Sequence, residues 1–263
     1  MSEIAGTNAK TGGSIQVIER MMSLLDALAA SPEAASLKQL SHATELHPST
    51  AHRILAAMTA ARFVERQDAG TYRLGIRLLE LGNIVKSRIN LREVALPFMQ
   101  ELHERIGEAI NLGTRHDDEI VYLERTSSGR SLVRVVYLVG GRAPLHLTSL
   151  GKLFLAAEGQ QKVREYAKRT SLPGKTPHSL TTLEALEKEL DKVRRHGIAY
   201  DDEEAELGLK CVAAPIHDDE GNIVAALSVS APADRHDPDW ADQVRKTADA
   251  VSHALGYTGQ VRR

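Results

Sequence analysis

The chain is poor in the features that mark several protein classes. One cysteine, Cys211, in 263 residues excludes an internal disulfide framework and suits a reducing compartment. No apolar run approaches the ~18 residues of a membrane span, and the N-terminus lacks a signal-peptide core, so a cytoplasmic protein is expected. Charge of one sign is missing too. The formal net charge is −2, which excludes a basic nucleic-acid coat. No nucleophile elbow, phosphate loop or dinucleotide fingerprint is present, and Gly140-Gly141 alone is too weak a signal, so no cofactor is expected. The histidines are scattered, without the spacing of a zinc site. What remains is 42% hydrophobic content, enough for packed cores in one or two domains.

The informative stretch is 36–74. At about 100° per residue, a helix from Pro48 puts Ala51, Ile54, Leu55 and Met58 on one side and Ser49, His52, Arg53 and Ala56 on the other. One side packs; the other offers groups that bond base edges and phosphates. Pro48 suits a first helical turn. Upstream, Ser36-Leu37-Lys38-Gln39 has the form of a capping box. Ser14 is expected to cap an earlier helix carrying Ile18, Met21, Met22, Leu25 and Leu28, ended by Ser31-Pro32. Downstream, 63–66 and 71–74 flank Gln67-Asp68-Ala69-Gly70 as a hairpin. Together these predict a winged helix-turn-helix over 14–75, preceded by a loose tail over 1–13. Arg66, Thr71 and Arg73 on the wing are placed to meet phosphate. A polar helix face is also simply a solvated one, and it is the capped order plus the wing that favours DNA.

Charge divides unevenly. Residues 14–88 carry nine Lys/Arg against seven Asp/Glu, and residues 89–263 carry 23 against 27. DNA binding therefore rests on local placement, and tight binding calls for paired heads. Residues 76–90 are expected to form a linker helix with Ile76, Leu79 and Ile84 inward. From 91 onward, strands and helices alternate. A helix begins at Asn90-Leu91, with Val94, Phe98, Leu102 and Ile106 on one stripe. Hairpins are expected over 109–125 and 211–230, a strand over 132–138, and helices after Thr148-Ser149, over 182–196 and over 239–255. Hairpins mean antiparallel pairing, so an α+β body over 91–263 is expected.

Motifs along nearly the whole chain resemble those of the IclR-type bacterial transcriptional regulators. They are Ser14-Ile15-Gln16-Val17-Ile18-Glu19-Arg20, the run from His47 to Leu55, Tyr72-Arg73-Leu74-Gly75, and Leu147-Thr148-Ser149-Leu150-Gly151-Lys152. Further on stand 197–204, 208–216 and 225–232. The resemblance implies a winged-helix head that meets operator DNA through Arg20, Ser49, Thr50, His52, Arg53, Arg66, Thr71 and Arg73. It also implies a GAF-like domain binding a small metabolite, and dimers of dimers on palindromic operators. The effector residues it implies are Val135, Thr148, Ser149, Leu150, Gly151, Asp201, Leu209, Cys211, Ser228 and Ser230.

Physical chemistry agrees in part. Residues 148–151 open a helix, where unpaired N–H groups favour an anion, so a carboxylate effector is expected. The resemblance, to a family that often senses small or aromatic acids of catabolic pathways, implies an aromatic one. Ser228 and Ser230 are two apart on a strand and point the same way. Each residue also has a plain structural role: Ser149 as a helix cap, the serines bonding backbone, Cys211 as a small core residue, Asp201 within a solvated acidic run. Three rival readings stand beside this one, and the first, a protein-interaction scaffold, predicts no salt-dependent DNA binding. Cys211 with a nearby histidine would serve a hydrolase or transferase, and His146 would serve as one ligand of a metal.

Overall fold

The computed structural model describes residues 11–31, 33–86, 90–126 and 139–259. They fall into two compact units, Met1–Ile89 and Asn90–Arg263. The strand expected over 132–138, and with it Val135, lies outside the described residues.

The first unit runs α1 (Thr11–Ala29), β1 (Ala35–Ser36), α2 (Leu37–Ala43), α3 (Pro48–Ala60), β2 (Val64–Arg66), β3 (Thr71–Leu74) and α4 (Ile76–Lys86). α2 begins with the expected capping box: the Ser36 hydroxyl accepts from the Gln39 amide, and the Gln39 side chain accepts from the Ser36 amide. α3 starts at Pro48, and Ala51, Ile54, Leu55 and Met58 are buried on one side of it. β2 and β3 pair antiparallel as the wing, and β1 adds itself to β3, giving the order β1-β3-β2.

Three expectations here are corrected. α1 begins at Thr11, so Ser14 lies inside the helix rather than capping it. Its packed side is rotated: Leu24 and Leu28 are buried, whereas Ile18 and Met22 stay 55% and 48% exposed. The linker-helix residues Ile76, Leu79 and Ile84 are likewise exposed, not inward. α4 is fastened to the head through its polar side instead, with Glu80 bonded to both Arg62 and Arg77.

The second unit runs α5 (Leu91–Ile106), β4 (Ala109–His116), β5 (Glu119–Thr126), β6 (Arg142–Pro144), α6 (Ser149–Ala157), α7 (Gln160–Thr170), α8 (Leu183–His196), β7 (Ala199–Asp202), β8 (Leu209–His217), β9 (Ile223–Pro232) and α9 (Trp240–Ala254). The six strands form one sheet in the order β6-β5-β4-β9-β8-β7, each neighbour antiparallel. The fold is α+β. On one face, Ile110, Leu112, Val212, Ala214, Leu227 and Val229 pack with α5 and α9. On the other, Tyr122, Leu209, Cys211, Ala213 and Ala226 pack with α6, α7 and α8. Helices cover both faces, so β9 is buried along most of its length. In α5 the buried residues are Ala95, Met99 and Leu102, one position away from much of the expected stripe. Val94, Phe98 and Ile106 pack at its border.

Candidate DNA face and effector site

The head presents α3 with Ser49, His52 and Arg53 exposed and Thr50 partly so. His47 caps the helix, its ring Nδ1 accepting from the Ser49 amide at 3.4 Å and lying 2.8 Å from the Ser49 hydroxyl. That ties Ser49 to a ring just outside the helix. Arg53 borders an apolar cleft of about 350 Å³ shared with Val17, Met21, Ile54 and Phe63. On the wing, Arg66 is exposed. Arg73 is held by Glu65 at 2.7 Å and Thr71 donates to Gln67 at 3.3 Å, so both already have partners. Arg20 on α1 is half-exposed.

In the body, the face of the sheet beneath α6 carries polar side chains that apolar packing alone would not choose. The strand registers pair Asn111 with Ser228, and Ser230 with Cys211, which in turn faces Asp201. All five side chains are buried. The Asn111 amide donates to the Ser230 hydroxyl at 2.9 Å and to Ser228 at 3.3 Å, and the Cys211 sulfur lies 3.1 Å from the Ser230 oxygen. The Asn111 carbonyl oxygen is buried without a partner, a rare condition inside a protein. Asn111 escaped the sequence reading. Its only signal is an amide interrupting the apolar start of β4.

α6 brings its first turn onto this face. Thr148 is the cap, its hydroxyl accepting from the Gly151 amide at 3.0 Å, while Ser149 is the first helical residue. The amides of Ser149 and Leu150 precede the first intrahelical bond, which Lys152 makes to the Thr148 carbonyl. A Cβ on Gly151 would lie 2.3 Å from the Leu145 Cα, so only glycine lets the helix start sit this close to the preceding turn. A Cβ on Gly113 would fall 3.0 Å from the Leu150 Cδ1, which places Leu150 over β4 two residues from Asn111.

Asp201 is fully enclosed, and one carboxylate oxygen accepts from the amides of Glu204 at 2.8 Å and Ala205 at 3.3 Å. Burial pushes its pKa up to about 7, against the pull of Lys152. Leu209 is buried in the wall of the same layer. Burial, then the neighbouring Asp201, push the Cys211 thiol well above its usual range, the opposite of an activated nucleophile. Its hydrogen-bond partner is Ser230, not a histidine. Both ring nitrogens of His146 are engaged, with the Tyr166 hydroxyl at 2.8 Å and the Pro173 carbonyl at 3.1 Å, which argues against a metal-ligand role. Among the described residues, no group of three or more His, Cys, Asp or Glu is placed to hold a metal ion.

A model of the C-terminal domain of the bacterial transcriptional regulator IclR matches residues 84–253, and one of the IclR helix-turn-helix domain matches 17–68. The chain belongs to the IclR family of bacterial transcriptional regulators. The HTH-type transcriptional regulator XynR of Escherichia coli is 32% identical over 249 residues, which cover 92% of this chain and 98% of XynR. The Agrobacterium tumefaciens repressor BlcR superposes with a TM-score of 0.84 at 25% identity, over 95% of this chain and all of BlcR. An IclR homologue from Microbacterium hydrocarbonoxydans, crystallised with 4-hydroxybenzoate, gives 0.59 at 30% identity over 91% of this chain and 98% of that one. This IclR-family chain is thus a DNA-binding regulator and not an enzyme. Among the described residues, no helix is long and apolar enough to cross a membrane.

Proposed function

We propose that the chain is a cytoplasmic regulator whose hold on operator DNA is modulated by a small carboxylate, with aromatic acids as the leading class. The observation that carries this reading is the buried polar set Asn111, Ser228, Ser230 and Cys211 beneath the start of α6. A sheet face built only to pack would be apolar there, because buried polar groups cost free energy unless bonded. The amides of Ser149 and Leu150 suit a carboxylate, with Thr148 and Gly151 shaping that turn. Ser228, Ser230 and Cys211 line the floor, and Asp201 and Leu209 its side. The 4-hydroxybenzoate bound to the Microbacterium relative supports the aromatic class.

In the head, residues 14–75 place Ser49, Thr50, His52 and Arg53 in a major groove, with Arg20, Arg66, Thr71 and Arg73 on phosphates. The segment 76–90 links it to an effector domain over 91–263. Two heads on a palindromic operator require a homodimer, and pairs of dimers raise the affinity further. Effector and DNA are coupled by linkage: an acid that binds one head spacing better shifts the population toward it.

Thermal shift of the full chain against a panel of organic acids tests the sensor. A ligand at 100 times its dissociation constant adds roughly 2.7 kcal/mol of stability. A dose-dependent rise for one acid class supports the reading, and silence across the panel removes it.

A further inference from the structure

Beside Asn111, on the same face and directly across from it, stands Arg125 of β5. A register shift in the pairing of β4 with β5, between Leu112 and Gly113, turns both Tyr122 and Arg125 toward the α6 side, although they are three residues apart. The electrostatics agree. Burial pushes the Cys211 thiol and the Tyr122 phenol up, and in both the Arg125 charge works against the shift, so the guanidinium lies near each. Among the described residues, the Arg125 side chain has no carboxylate partner, and its Nε is buried without any hydrogen bond.

Two neighbouring side chains thus hold one unanswered group each, and the two are of opposite kind. Arg125 Nε–H is a donor; Asn111 Oδ1 is an acceptor. They do not satisfy one another. Cross-strand partners hold their Cβ atoms about 5 Å apart, which makes the two side chains immediate neighbours on this face. A second carboxylate would satisfy Arg125 but set an oxygen lone pair against the Asn111 carbonyl. A hydroxyl answers both, its oxygen accepting from Arg125 and its hydrogen donating to Asn111.

We infer that Arg125 and Asn111 form a hydroxyl-reading pair in the effector site, so that the effector is a hydroxy-substituted carboxylic acid. This rests on the carboxylate reading above and adds a specificity determinant to it. The acid group docks at the start of α6, and the hydroxyl is read across the sheet from Ser228.

The test is calorimetric titration of the full chain with matched probes: benzoate against 4-hydroxybenzoate, 3-phenylpropionate against 3-(4-hydroxyphenyl)propionate, and the dicarboxylate 1,4-benzenedicarboxylate. The best hydroxy acid is expected to bind at least about tenfold more tightly than its unsubstituted partner, the size of a hydrogen bond to a buried group. Asn111→Leu and Arg125→Met are each expected to collapse that ratio by weakening the hydroxy acid more than its unsubstituted partner. Arg125→Met keeps the test decisive if Asn111→Leu fails to fold, because it removes a buried Nε that has no hydrogen-bond partner. Equal affinity within every pair, preference for the dicarboxylate, or an unchanged ratio in Arg125→Met would overturn the inference and leave the carboxylate reading standing. Binding by none of the acids overturns both.

Discussion

Lys152 Nζ lies 2.5 Å from Glu204 Oε1 in a place where the lysine is fully buried and the glutamate nearly so, and the same ammonium donates to the Tyr200 carbonyl at 2.7 Å. This pair joins α6, whose first turn faces the polar floor, to the segment that follows β7. Burial pushes the Glu204 carboxyl up, and Lys152 opposes that shift. Lys152→Met leaves a buried carboxylate uncompensated and is expected to cost about 3–5 kcal/mol in urea denaturation. Lys152→Met with Glu204→Leu is expected to be more stable than Lys152→Met alone. A double variant as weak as the two single losses added together would show that the two side chains act independently.

Asp201 gives the body a pH dependence of definite sign. Its folded pKa of about 7 lies above the 3.8 of an ordinary aspartate. Between those values the folded chain keeps a proton that the unfolded chain has released, so this group's contribution falls as pH rises from about 4 to 7. Asp201→Asn keeps an oxygen for the Glu204 and Ala205 amides and removes the ionisation. Relative to the native chain it should gain on the order of 2–4 kcal/mol between pH 4 and pH 8. Parallel stability curves for the two proteins would contradict this.

Gly151→Ala puts a methyl group against the backbone of Leu145, which cannot rotate out of the way. The cost is expected to be about 1–3 kcal/mol in thermal melting. Because the strain falls on the first turn of α6, acid binding should weaken as well. A variant with native melting and native acid affinity would mean the helix start shifts freely.

Arg53→Ala separates base reading from phosphate contact. If Arg53 bonds a base edge, operator affinity at fixed salt falls by about 1–3 kcal/mol while the slope against salt holds. Loss of a phosphate contact lowers that slope by ~0.9. Affinity and slope both unchanged would remove Arg53 from the interface.

The head was legible because its signals are local: a proline, a capping box, a stripe on one helix and a turn between short strands. The exceptions are instructive. Ile76, Leu79 and Ile84 have the spacing of a packed stripe but remain exposed, since α4 is held to its own unit by Glu80 rather than by those apolar residues. The body was legible in its hairpins and capped helices, whereas β6 and β7 went unseen because three or four residues carry too little pattern. In the site, Ser228 and Ser230 were picked out by the family resemblance, and their spacing of two put them on one face of a strand. Asn111 and Arg125 were not, because their pairing is set by a strand register and a bulge that join residues of different strands. Thr148 and Ser149 both suit a cap by type, and only the backbone geometry assigns that role to Thr148.

Coupling between acid and DNA is the central claim, and fluorescence anisotropy tests it most directly. The operator is a duplex selected from a random pool by the full chain, titrated at fixed salt with and without a saturating acid that raises the melting temperature. The account predicts that the acid shifts operator affinity by about 5–150-fold, and that Ser228→Ala with Ser230→Ala abolishes the shift while leaving acid-free affinity intact. An acid that binds the native chain yet leaves operator affinity unchanged would contradict it.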